Sequence, residues 1–209
     1  MKVTVFGATG GTGQHVVKQA IEKGHQVVAF TRSPDKLKIK DENLTAFAGD
    51  VLDEEIVTEA INGADAVIST LAPVDNSPKF VVSAGTKNFL AGMKQNGVSR
   101  LVVTSGAGVG DPKDAPKFVN KLINFLLRMT AKNVFADMQN TTEIVRQSDL
   151  DWTIVRVPML ADDPQTGVLK VGWVGKGVGV RIGRADLASF LLDQLEDETY
   201  LRQSPVVSN

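Results

Sequence analysis

Short runs of β-branched and apolar residues alternate along the chain with stretches whose apolar positions recur at helical spacing. Val3–Phe6, Gln26–Thr31, Leu44–Ala48, Ala66–Thr70, Leu101–Thr104 and Thr153–Val157 read as strands. They are largely continuous apolar runs, the pattern of parallel strands covered on both faces. Between them, Thr12–Lys23 sets Val16, Val17, Ala20 and Ile21 on one stripe and stops at Gly24, a residue suited to the left-handed position after a helix. Asp53 precedes Glu54 and Glu55, ahead of Ile56, Val57, Ala60 and Ile61, which predicts an N-cap and an acidic first turn. Lys79–Gln95 stops at Asn96-Gly97, and Lys132–Gln147 gives a further helix. The order predicts an α/β chain folded as a doubly wound parallel sheet.

After Pro158 the texture changes. Val168–Val174 and Val180–Ile182 flank Gly175, Gly177 and Gly179, which predicts short strands around a tight turn, set over the carboxyl edge of the sheet. Arg184-Ala185-Asp186 then opens a last helix through Leu195. With no linker, repeat or low-complexity tract, residues 1–209 read as a single domain with a small C-terminal elaboration. Its cofactor half spans about 1–75 and its substrate-side elements about 105–183.

Composition narrows the chemistry. Hydrophobic residues make up 43% of the 209 and charged residues 22%, enough for a packed core. Lys plus Arg (23) balances Asp plus Glu (24), so no overall field draws the chain to nucleic acid or an anionic membrane. Cysteine is absent, which excludes disulfides, thiolate catalysis and Cys-ligated metals. Two histidines are too few for a histidine metal site, so no metal is expected. The start, Met1–Phe6, is apolar too briefly for a signal peptide, and no run approaches a membrane span. The expectation is a cytoplasmic protein acting on a small molecule, as a monomer or weak homodimer.

The strongest motif is Gly7-Ala8-Thr9-Gly10-Gly11-Thr12-Gly13, which leaves a strand and enters a helix directly. Glycine allows a sharp turn and lets backbone approach a pyrophosphate, while the helix start offers free N–H groups. Thr9 and Thr12 add hydroxyl donors. Sites that prefer NAD carry Asp or Glu about 20 residues further on. Here that place is taken by Arg32, with Lys36 nearby. A guanidinium can hold a 2′-phosphate bidentately, so the expected cofactor is NADP(H). Asp50, followed by Val51, can accept from the adenine amino group or cap the helix that follows.

The usual short-chain dehydrogenase acid, a Tyr-x-x-x-Lys pair, is missing. The only tyrosine is Tyr200, and the matching helix positions hold Phe135 and Gln139. His15 and His25 read as surface residues. What remains is Ser105, at the carboxyl end of Leu101–Thr104, as either a partner of the nicotinamide or acceptor or a simple turn former.

Gly7–Gly13, Arg32, Gly49-Asp50-Val51-Leu52, Asp65–Ile68, Asn76-Ser77-Pro78, Thr104-Ser105, Asp163–Gly167 and Asp186-Leu187 occur in an order that resembles the atypical short-chain dehydrogenases with a Rossmann-like NAD(P)H-binding domain. The likeness is to the flavin reductase–biliverdin reductase B-like and NmrA-like members. It implies NADPH-dependent reduction of flavins, quinones or linear tetrapyrroles, with hydride passing directly and a proton following from solvent, so that no tyrosine is needed. It also implies nicotinamide-side positions at Leu71, Ala72, Ser105, Pro158 and Met159. Where such members carry histidines near the substrate, this chain has Met138 and Met159, a departure that bears on histidine-assisted proton delivery and on a tetrapyrrole substrate. The competing reading is a non-catalytic NADP(H) sensor of the NmrA-like kind.

Other features stay open at this level. The apolar helix with Phe118, Val119, Leu122, Ile123, Phe125, Leu126 and Leu127, edged by Lys117, Lys121 and Arg128, suits core or lid packing, a dimer face or a membrane surface. Trp173 suits stacking on a planar acceptor or packing in a hairpin. Arg156, inside a strand, requires a buried carboxylate or carbonyl partner.

Overall fold

A computed structural model describes the backbone of residues 1–209 and every side chain outside positions 119–121, 123, 124 and 127. Ten strands and six α-helices follow one another as β1 (Lys2–Phe6), α1 (Gly11–Glu22), β2 (Gln26–Thr31), β3 (Leu44–Ala48), α2 (Glu54–Ile61), β4 (Ala66–Ser69), α3 (Val81–Asn96), β5 (Arg100–Gly106), α4 (Phe118–Thr130), α5 (Lys132–Arg146), β6 (Asp151–Val157), β7 (Met159–Ala161), β8 (Lys170–Gly172), β9 (Arg181–Gly183), α6 (Arg184–Asp193) and β10 (Val206–Ser208). The eight-stranded sheet has the order β3-β2-β1-β4-β5-β6-β10-β8. Every pairing in it is parallel except that of β8 with β10. The doubly wound parallel sheet is thus observed.

Period-two alternation sorts the strand side chains between two cores. Val3 and Val5 face α1 and α6, where they pack with Val16, Val17, Leu187 and Leu191. Phe6 joins the opposite layer with Val57, Ile61, Phe89, Met93 and Val145 of α2, α3 and α5. Thr4, on that same face, satisfies its hydroxyl by donating to the Ala60 carbonyl at 2.8 Å. Both faces are therefore covered, which is why the strands carry few polar residues.

Asp53 caps α2 as expected, its carboxylate accepting from the Ile56 N–H at 3.2 Å. Helix α3 starts later than the periodicity predicts, because Phe80 takes a left-handed conformation (φ 48°) and so cannot continue a helix from Lys79. Short strands and a tight turn do follow Pro158, but β8 and β9 do not pair with each other. Strand β8 pairs antiparallel with β10, and β9 pairs parallel with β7 in a separate two-stranded sheet. Trp173 to Lys176 closes its own tight turn, with the Lys176 N–H donating to the Trp173 carbonyl at 2.8 Å. Left-handed Gly175 and Gly177 then turn the chain away from β8. Strand β10 has no counterpart in the sequence reading.

Arg156 finds its partner. Fully buried in β6, it forms a two-pronged ion pair with Asp114 at 2.7 and 2.8 Å, and donates to the carbonyls of Ser204 and Val109. On helix α4, the described apolar side chains of Phe118, Leu122, Phe125, Leu126 and Met129 are exposed. The helix meets α5, where the Arg128 guanidinium lies 4.6 Å over the Phe135 ring, and its Thr130 carbonyl accepts from the Asn76 amide at 3.5 Å. The side chains of Val119, Lys121, Ile123 and Leu127 lie outside the described residues. Among the described residues no helix is long and apolar enough to cross a membrane.

Candidate functional site

The order in which strands are added reverses between β1 and β4: β2 and β3 lie to one side of β1, and β4, β5 and β6 to the other. Such a switch point leaves a crevice outside the carboxyl ends of the strands. Gly7 leaves β1 with φ +78°, and a Cβ there would lie 2.8 Å from Thr70 Oγ1 and 2.9 Å from the Thr70 carbonyl carbon. The loop therefore lies directly against the end of β4. Gly13 lies against the loop from behind, where a Cβ would approach the Gly7 carbonyl carbon to 2.8 Å and Ala8 Cα to 2.9 Å. The turn is closed by the Gly10 N–H donating to the Gly7 carbonyl at 2.9 Å. Thr9 and Thr31 hydroxyls meet at 3.2 Å, tying the loop to the end of β2.

Helix α1 begins at this loop with no side-chain cap on Gly10 and no acidic residue in its first turn. Its first N–H groups and the positive end of its dipole are left for an external anion. Glycines without room for a Cβ and an uncapped helix start are the donor set a pyrophosphate requires.

A cavity of about 640 Å³ runs along this edge, within the usual range of roughly 300–1,000 Å³ for cofactor sites. It is lined by Gly7, Thr9, Gly10, Gly11 and Thr12, by Arg32 and Lys36 past β2, by Asp50 and Val51 past β3, and by Leu71 and Ala72 past β4. Gly13 sits behind the wall. Arg32 and Lys36 are exposed, and their side chains make no hydrogen bond or ion pair among the described residues. Asp50 shapes its own turn, accepting from the Leu52 N–H at 3.0 Å.

Ser105, Pro158 and Met159 do not line the cavity. Ser105 is buried, and its hydroxyl meets that of Thr142 in α5 at 3.0 Å. In β7 successive side chains point to opposite faces, and Leu160 reaches the groove while Met159 stays 64% exposed elsewhere. Met138 packs over Gly106, and Trp173 lies under the Lys113 ammonium, 4.8 Å from its ring centre. His15 and His25 are half-buried and outside the groove. His25 titrates below the usual histidine range because burial and the nearby N-terminal amine disfavour its cation.

The structure adds residues the sequence reading lacked: Thr70, Phe80, Asp137, Leu160 and Arg184 all line the groove. Asp137 is buried in α5, and its carboxyl oxygens accept from the Val82 and Ser83 N–H groups at 3.1 and 2.9 Å. It caps α3 from another helix, so the groove wall at Phe80–Val82 is held by α5. We expect Asp137→Ala to cost about 1–3 kcal/mol by freeing two N–H groups at a helix start. Urea unfolding measures it, and a loss below a few tenths of a kcal/mol would dismiss the cap.

A second, shallower hollow of about 1200 Å³ lies between α2 and the end of α3. Asp50, Asp53, Glu54, Glu55 and Glu59 line it, so it repels a polyphosphate. Among the described residues no group of three or more His, Cys, Asp or Glu is placed to hold a metal.

Comparison with known proteins agrees with this geometry. Residues 7–198 match the family model described as NAD(P)H-binding. The chain is 28% identical over 211 residues to YwnB of Bacillus subtilis (strain 168), covering 94% of this chain and 92% of that one. It is 37% identical over 130 residues to cinnamoyl-CoA reductase 1 of Petunia hybrida, covering 56% of this chain but only 39% of that longer protein. In three dimensions it is similar to a short-chain dehydrogenase/reductase from Veillonella parvula DSM 2008 solved in complex with NADP, with a TM-score of 0.83, 16% identity and coverage of 100% and 94% of the two chains. At that identity the likeness concerns the fold.

Proposed function

We propose that this chain, which belongs to the NAD(P)H-binding family, is an NADPH-dependent reductase that passes hydride to a planar conjugated acceptor such as a flavin or quinone. The observation that carries the reading is Arg32, standing with Lys36 unpaired on the groove at the place where an NAD-preferring chain offers a carboxylate. An unpaired guanidinium fork beside an adenosine site suits the 2′-phosphate of NADP(H). The relative named as a cinnamoyl-CoA reductase is in keeping with reduction as the chemistry.

Bound in this groove, the cofactor would supply hydride from its nicotinamide ring. The chain's own part is to hold and to orient. The loop Gly7–Thr12 and the start of α1 hold the pyrophosphate, and Leu71 and Ala72 lie further along the groove, where the ring would sit. Leu71, Ala72, Phe80, Val81 and Leu160 give that end an apolar wall against which a flat acceptor can lie. Neither the tyrosine nor either histidine lines the groove. In this reading the acceptor gains its proton from water after hydride arrives, a route that conjugated acceptors allow and simple ketones do not. Ser105 enters this reading as a residue that fixes the end of β5 through Thr142, not as a proton donor.

Arg32→Asp is expected to weaken NADPH binding by about tenfold or more, equivalent to ~1.4 kcal/mol. Fluorescence titration measures it, and unchanged affinity would remove the basis for NADP over NAD. NADPH consumption by purified protein with FMN, several quinones and biliverdin, against NADH as control, tests the reaction. Turnover with one acceptor class supports the reductase. Tight NADPH binding without turnover on any of them would make the chain a cofactor sensor.

A further inference from the structure

Arg184 opens α6, and its side chain lies across the glycine loop: a Cβ built on Gly11 would stand 2.8 Å from Arg184 Nε and 3.0 Å from Cδ. The side chain of the first residue of α6 thus reaches the first residue of α1, bringing its guanidinium against that helix start. Both helix starts carry partial positive charge, and neither has a side-chain cap. The Asp186 carboxylate in the first turn of α6 is taken up by Thr166, Gly167 and Asn209, so a cation at this junction gains from a further anion. In this structure its only ion-pair partner among the described residues is Asp162, at 2.6 Å, on the strap between β7 and β8. Asp162 is 84% exposed while Arg184 is 24% exposed, so the pair reaches from the groove wall into solvent.

The strap is anchored elsewhere. Asp186 accepts from the Thr166 and Gly167 N–H groups, and Arg181 pairs with Asp163. Loss of the Arg184–Asp162 pair would leave those ties intact. The pair is also worth little to folding, because exposed ion pairs are screened.

We propose that Arg184 is a pyrophosphate-binding residue contributed from the far half of the chain, and that Asp162 is the counter-ion it exchanges for the cofactor's phosphates. This rests on the reading of the groove as a dinucleotide site. The guanidinium stands over the anion cradle formed by Gly10, Gly11 and the start of α1. The pyrophosphate bridge carries two negative charges against the single charge of a carboxylate and also meets free helix N–H groups, so it wins the guanidinium from Asp162. Cofactor binding would then release one tie on the strap that follows β7, the strand whose Leu160 lines the groove.

The test is equilibrium binding of NADP, 2′,5′-ADP and 2′-AMP to wild type, Arg184→Met, Arg184→Lys and Asp162→Asn, with far-ultraviolet circular dichroism and thermal melts to confirm folding. For Arg184→Met the expected result is loss of about tenfold in affinity for NADP and for 2′,5′-ADP, whose 5′-phosphate reaches the loop, with 2′-AMP unchanged. Arg184→Lys should recover part of the loss. Asp162→Asn should tighten NADP by about two- to threefold, since it removes the competitor. A merely structural role for the pair predicts weakening by both Met and Asn variants, and that result would overturn the proposal. So would unchanged NADP affinity in Arg184→Met, or an equal loss for 2′-AMP. If wild type binds none of the three ligands, the dinucleotide reading itself fails.

Discussion

Gly13→Ala is expected to abolish measurable cofactor binding, a loss of about a hundredfold or more, equivalent to ~2.7 kcal/mol. The added methyl would meet the Gly7 carbonyl carbon at 2.8 Å and Ala8 Cα at 2.9 Å, and both are backbone atoms with no rotamer to yield. Gly7 cannot retreat, because it lies against Thr70 on its other side. Either the loop or the start of α1 must therefore shift, which moves the N–H groups aimed at the pyrophosphate. The fold should lose about 1–3 kcal/mol as well, the usual cost of overpacking. Gly24→Ala is the control: its φ is +79° but nothing lies within 4 Å of the added methyl, so strain appears without loss of binding. Binding retained by Gly13→Ala in titration would contradict the assignment of this loop.

The second large effect is in the support of the sheet. Asp114→Ala is expected to destabilise the protein by about 3–5 kcal/mol, because it leaves the Arg156 guanidinium buried without its carboxylate. Asp114 also accepts from the Val174 and Asp111 N–H groups, so the pair joins β6 to two loops. Burial pushes the Asp114 carboxyl upward, but hydrogen bonds and charge from Arg156, with the two backbone donors, outweigh it and hold the group below the usual aspartate range. A lowered folded value means that the stabilisation is present above about pH 4, the unfolded aspartate range, and is lost as pH falls through the folded value. The gap between wild type and Asp114→Ala should accordingly be full at neutral pH and narrow in strong acid. Urea unfolding across that range measures both, and a gap that stays constant into acid would sink the ion-pair account. Replacing Arg156 by Met in the same variant should recover part of the loss.

Strands β1, β2, β4, β5 and β6 were legible because a strand buried on both faces is an uninterrupted apolar run, whereas the half-exposed edge strand β3 was legible from its apolar residues alone. The glycine loop and Arg32 were legible for a related reason: they sit at fixed offsets from β1 and β2. Strand β10 was not, since Val206–Ser208 is too short to show any period. Arg184 and Asp137 were hidden for a different cause. They reach the groove through the packing of α6 on α1 and of α5 on α3, contacts between segments far apart in the chain. No local pattern encodes such a meeting. The alternation rule, applied to β7, could have favoured Leu160 over Met159 only once the strand's facing was known.

Strand β10 sits between β6 and β8 in space but after β7, β8, β9 and α6 in sequence. During synthesis on the ribosome, the sheet from β3 to β6 can assemble while β6 still presents an open edge. Its neighbour has not yet been made. That edge carries Trp152, Ile154 and Val155, all buried in the finished protein, and a bare apolar edge is a template for pairing with another nascent chain. The hazard to this protein is therefore greatest in the interval between the synthesis of β6 and that of the strand that covers it.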